Sequence, residues 1–138
     1  MNKDNFNNPD KLQLLSFRKW LRNNMPKGRD GFVVEDLDLV IRWFGYNYGF
    51  DSVGAFMLIE LKFGSAEMDV PQIKLWGLID SLLRKADPER KRYFGFYLIQ
   101  YTDDDWNVSG FRINKQSVTR EQFVKFWERK FIVEEYFK

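Results

Sequence analysis

Two apolar stretches carry charged residues where a buried strand would carry none. The first runs from Phe32 to Ile41 and holds Asp36 and Asp38; the second runs from Ala55 to Phe63 and holds Glu60 and Lys62. Val, Ile, Leu and Phe dominate both, and Gly31, Gly45, Gly49, Gly54 and Gly64 punctuate them, so both read as strands. Strand side chains alternate, which puts Asp36 with Asp38 on one face and Glu60 with Lys62 on one face, roughly 6.5 Å apart. If the two strands pair, three carboxylates and an ammonium gather in one place. Such charges are costly to bury unless they are paired or bind metal. The rest of the chain narrows the chemistry open to them. It has no cysteine and no histidine, which removes thiolate zinc sites, thiol nucleophiles, serine triads and imidazole acid–base catalysis. Any catalysis must rest on carboxylates, lysine or a hard metal ion.

The elements that would position these groups follow in order. Asp10 to about Met25 reads as a helix, with Leu12, Leu15, Phe17, Trp20 and Leu21 at helical spacing and Lys11, Arg18, Lys19 and Arg22 around the remainder. Pro9 suits its start, and Pro26 with Gly28 suits its stop. The basic face reads as solvated surface, with a phosphate-facing helix as the alternative. Residues 46–54 join the two strands as a long loop whose aromatic side chains either stack on bases or close over the core. Val70-Pro71 opens a second helix through Arg84. Its expected buried stripe is Leu75, Leu78, Ile79, Leu82 and Leu83, with Trp76 also in the core. Arg92 to Tyr101 reads as a strongly apolar strand, Asp103 to Asp105 as a solvated acidic turn, and Val108 to Ile113 as a returning strand. Thr119 with Gln122 matches a capping box that opens a helix through about Lys130, with Phe123, Phe126, Trp127 and Phe131 inward.

The 138 residues are about one domain, with an aromatic share of 18% that must be buried or engaged with a partner. The Asn-rich stretch from Met1 to Pro9 lacks the apolar core of a signal peptide, and no apolar run has the length of a membrane helix. A soluble, cytoplasmic protein without a membrane partner is expected. The net charge of +2 permits a nucleic-acid partner without demanding one. Helix, two central strands, helix, then strand or hairpin and helix make an α/β (α+β) domain, with helices against a mixed sheet.

Asp38 on one strand, followed by Glu60-Leu61-Lys62 near the end of the next, resembles the PD-(D/E)XK nuclease superfamily. So does Gln72 at the opening of the next helix, with an aromatic, Trp76, four residues on. The sequence departs from the pattern in having Leu37 where a proline precedes the aspartate, in offering Asp36 as a competitor, and in lacking a glutamate on the first helix. The resemblance implies a restriction-endonuclease-like αβββαβ core over residues 10–100, with 101–138 as a C-terminal hairpin and helix added to it. It implies Mg²⁺ or Mn²⁺ held by Asp38, Glu60, the Leu61 backbone carbonyl and, as a further candidate, Asp36. Lys62 would orient the attacking water or stabilise developing charge, and Gln72 would hold that lysine or a water. The expected activity is hydrolysis of phosphodiester bonds in DNA, in a protein of the kind found in phages, mobile elements and repair systems, with a homodimer as one arrangement. The rival readings are a non-catalytic nuclease-fold binding or assembly module, and an adaptor with exposed aromatics. On the plain alternative, Glu60 and Lys62 are an exposed pair on an edge strand, Asp36 and Asp38 are solvated acids, and Gln72 merely caps its helix.

Overall fold

The computed structural model describes residues 12–27, 35–102 and 110–137. The Asn-rich N-terminus, Phe32 to Val34 and the acidic triplet Asp103 to Asp105 lie outside these residues. The chain divides into two compact units, 1–35 and 36–138. In the first, α1 spans Leu12–Asn24, and the Asn24 side chain closes its last turn on the Trp20 carbonyl.

The second unit is built on a five-stranded sheet in the order β1-β2-β3-β4-β5. Its strands are β1 (Leu39–Trp43), β2 (Ala55–Phe63), β3 (Tyr93–Tyr101), β4 (Phe111–Ile113) and β5 (Gln116–Val118). Only β2 and β3 pair in parallel; the other neighbours are antiparallel. The mixed α+β sheet expected from the sequence is therefore present. The parallel pair follows from α2 (Val70–Ala86), since parallel neighbours need a crossover. Between α1 and α2 the described residues carry two strands. The first is shorter than its apolar sequence suggests: residues 35–38 are irregular, and pairing begins at Leu39 opposite Ile59.

Alternation sorts the sheet into two faces. Leu39, Ile41 and Trp43 join Met57, Ile59, Leu61, Tyr97, Ile99 and Ile113 against Phe123, Phe126 and Trp127 of α3 (Arg120–Trp127). Phe56, Leu58, Phe96 and Leu98 pack on the opposite face against Ile73, Trp76, Ile79 and Leu83 of α2. Tyr93 and Phe96 both face α2 although three residues apart, which strict alternation forbids. The β2–β3 register slips between Phe56 and Leu58 to allow it. Gly95, at φ 111°, takes up the slip, and a Cβ there would lie 2.0 Å from a Glu135 carboxylate oxygen.

Two further expectations need correction. Leu78 and Leu82 of α2 are not core: they are 58% and 56% exposed, and the inward side runs instead through Ile73, Trp76, Ile79, Asp80 and Leu83. α3 ends at Trp127 rather than near Lys130, although Phe123, Phe126, Trp127 and Phe131 do pack into the apolar cluster as their spacing suggests. The C-terminal segment crosses from one face to the other. Val133 packs with α3, Tyr136 and Phe137 pack with α2, and the Tyr136 amide donates to the Phe96 carbonyl.

Candidate active site

Glu60 lies on β2, between β1 and β3, and is 4% exposed. It is thus a buried carboxylate on an interior strand, not half of an exposed pair at a sheet edge. Its face is set by its neighbours. Leu58 packs against α2 while Ile59 and Leu61 pack against α3, so Glu60 and Lys62 project from the α2 side. Lys62 is partly exposed and makes no hydrogen bond or ion pair among the described residues.

Asp38 reaches this strand from the irregular segment before β1. Its Oδ2 accepts the Leu61 amide at 2.8 Å, just beyond the last β1–β2 pair, Leu39 with Ile59. The carboxylate therefore meets the middle of Glu60-Leu61-Lys62. A strand residue directs its N–H and C=O to the same side, so the Leu61 carbonyl faces the edge where Asp38 sits. Asp36 lies two residues earlier in the same exposed segment.

Gln72 has a structural duty. Asp69 caps α2 by accepting the Gln72 amide at 2.9 Å, and the Gln72 Oε1 returns an acceptor to the Asp69 amide at 3.2 Å. This reciprocal box satisfies two donors that the helix itself cannot. No hydrogen bond joins Gln72 to Lys62.

Two carboxylates and a main-chain carbonyl are oxygen donors of the kind Mg²⁺ and Mn²⁺ take, and the Asp38–Leu61 bond brings the Asp38 carboxylate to the strand that carries Glu60. By donor type these residues suit such an ion. Among the described residues no group of three Asp, Glu, His or Cys side chains could hold one, so Asp36 does not join Asp38 and Glu60 in a three-carboxylate site, and the side-chain donors that remain from the expected set are Asp38 and Glu60.

Sequence reasoning passed over several polar groups. Asp80 of α2 is 1% exposed, accepts the Tyr93 hydroxyl at 2.5 Å and pairs with Arg84 at 2.6 Å. Burial, then the bond to Asp80, pushes the Tyr93 hydroxyl far above its ordinary range. Gln100 on β3 is 2% exposed and faces the same side as Lys62, its partner in register. The 46–54 loop is fixed by Asp51, whose carboxylate takes both terminal nitrogens of Arg92 and, through that bond first, is held well below the usual carboxylate range. Phe50 closes over the core on Phe94, whereas Tyr46 is 97% exposed. On the α3 face a cavity of about 240 Å³ is lined by Met57, Phe94, Tyr97, Arg129 and Glu135 among others, none of them residues of the Asp38–Glu60–Lys62 group.

No protein-family model, curated protein or solved structure matches the chain in comparisons with known proteins. No helix of the described residues is long and apolar enough to cross a membrane.

Proposed function

We propose that this chain is a metal-dependent nuclease that hydrolyses phosphodiester bonds in DNA in the cytoplasm, with Mg²⁺ or Mn²⁺ as its ion. The observation that carries this reading is the bond from the Leu61 amide to Asp38, which draws one carboxylate onto the strand segment flanked by Glu60 and Lys62. A bound divalent ion supplies charge neutralisation at the phosphate and a more acidic water. Asp38, Glu60 and the Leu61 carbonyl would hold it. Lys62 keeps its ammonium uncommitted on the Glu60 face, where it can orient the attacking water or meet developing negative charge. Gln72 contributes by fixing the start of α2. Should the substrate be duplex DNA, a homodimer would supply the second cut.

Cleavage of labelled single- and double-stranded DNA with Mg²⁺, Mn²⁺ or EDTA tests the reading. Cutting is expected with metal and not with EDTA. Lys62→Met is expected to lower kcat about 10²–10³-fold, the scale of losing one charge-stabilising group, and Glu60→Gln to abolish metal binding. A folded wild type that neither cuts nor binds metal would shift the reading to a non-catalytic nuclease-fold binding module.

A further inference from the structure

Across the α2 face of the sheet, one row of paired residues is polar on three successive strands: Lys62 on β2, Gln100 on β3 and Arg112 on β4. Residues paired on neighbouring strands share a face, with backbones about 4.8 Å apart. Gln100 is the buried member of the row. Its Nε2 donates to the Ala66 carbonyl at 2.8 Å, which settles which end of the amide is the oxygen. That oxygen, Oε1, is buried and has no hydrogen-bond partner. Buried acceptors are rarely left so, and each that is calls for a reason. Beside it stands the converse group: Lys62 has three donors and no acceptor among the described residues.

We propose that Gln100 is the positioning residue for Lys62. Its Oε1 accepts a hydrogen bond from the Lys62 ammonium once the flexible four-carbon stem swings toward β3, and this contact holds Nζ on the Glu60 side of the strand. The glutamine that steadies the lysine is then Gln100, because the Gln72 side-chain oxygen is occupied by the helix cap. Arg112 flanks Gln100 on the other side, but a lone oxygen suits a compact ammonium better than a planar fork built for bidentate acceptors. Arg112 is also a strand further from Glu60. The Ala66 contact pre-orients the amide, so the oxygen need not search for its donor. The catalytic value of the contact rests on the nuclease reading; the contact itself does not.

Two measurements on the full chain test it, the first independent of any activity. Proton–nitrogen spectra of lysine ammonium groups, recorded with and without Mg²⁺ and assigned with Lys62→Arg, should show a Lys62 signal protected from exchange. It should also show a nuclear Overhauser contact from that ammonium to the Gln100 side chain. The protection should be lost in Gln100→Met and kept in Arg112→Met. Absence of the contact in wild type in both conditions, or protection that follows Arg112 instead, overturns the proposal. The second measurement is the kcat and KM of cleavage. Gln100→Met should lower kcat about tenfold at unchanged KM, and Gln100→Glu, which keeps an acceptor but gives up the donor to Ala66, should restore most of it. Equal losses in both variants would make Gln100 a support for the 64–69 loop and overturn the positioning role. A wild type that shows the ammonium contact but cuts nothing would sink the nuclease reading and leave the contact standing.

Discussion

Asp38 combines a structural and a chemical role, and the two can be separated. Its carboxylate receives the Leu61 amide where the β1 ladder has stopped, so it finishes the sheet edge as well as presenting a charge. Asp38→Asn keeps an oxygen for that amide and drops the charge; Asp38→Ala drops both. We expect thermal melts of Asp38→Asn close to wild type with metal affinity lost by calorimetry, and a further loss of about 1 kcal/mol of stability in Asp38→Ala. Equal metal affinity in Asp38→Asn and wild type would remove Asp38 from the ligand set. Asp38, Glu60 and Lys62 were conspicuous in the sequence as charges inside apolar stretches, although Asp38 lies in the irregular segment before β1 and only Glu60 and Lys62 lie on a strand. Asp80 and Gln100 were not conspicuous, for a physical reason. An aspartate on an amphipathic helix, or a glutamine at the end of a strand, reads as a solvated group until its tertiary partners are known. Here those partners are Tyr93 and Arg84 for the one, and Ala66 for the other.

At the level of elements, α2 shows how periodicity can locate a helix and still misplace its face. Leu78 with Leu82 and Ile79 with Leu83 form two i,i+4 pairs one position apart, so hydrophobic spacing alone does not choose between them. The choice is made by Trp76, by Asp80 with its buried partner Tyr93, and by Ile73, which turn the Leu78–Leu82 side to solvent. Leu78→Lys should accordingly change unfolding free energy by no more than about 0.5 kcal/mol, whereas Trp76→Ala should cost about 3–5 kcal/mol in urea titrations. Comparable losses would return Leu78 to the core. The helix caps, by contrast, were readable, because Thr119 with Gln122 and Gln72 at the head of α2 act within one turn. At the other end of α2, Asp87 accepts the amides of Lys91, Arg92 and Tyr93 and so sets the start of β3. The Tyr93 amide is the foremost cause holding its carboxyl below the usual range. A carboxyl lowered in the folded state stabilises above its unfolded value of about 4, and that stability fades as pH falls through the folded one. Glu135 acts in the opposite sense, since burial raises it and protonation relieves that cost. Stability should therefore fall below about pH 4, and Asp87→Asn should flatten that limb of a denaturant-against-pH series; an unchanged slope would mean the three amides do not hold the charge.

For the molecule as a whole, the mixed sheet was legible from local signals, apolar strands and a helix between them, whereas the strand order and the parallel pairing of β2 with β3 were not. Nor was the passage of the C-terminal segment across both faces. Val133, Tyr136 and Phe137 lie outside any helix or strand, so no period announces that they belong to two apolar clusters. The buried Glu60 gives the whole unit a property that can be measured without a substrate. A carboxylate taken out of water weakens the fold unless something compensates it, and a cation bound only by the folded state stabilises that state by mass action. At one hundred times its dissociation constant the gain is about 2.7 kcal/mol. Unfolding should therefore move to higher temperature as Mg²⁺ or Mn²⁺ is added, return to its starting point with EDTA, and become insensitive to metal in Glu60→Gln. Because the comparison is made within each variant, a change in intrinsic stability caused by the substitution itself does not enter it. A melting curve that ignores both ions in the wild type would argue that Glu60 is compensated from within the chain, and that Asp38 binds the Leu61 amide for the sake of the strand.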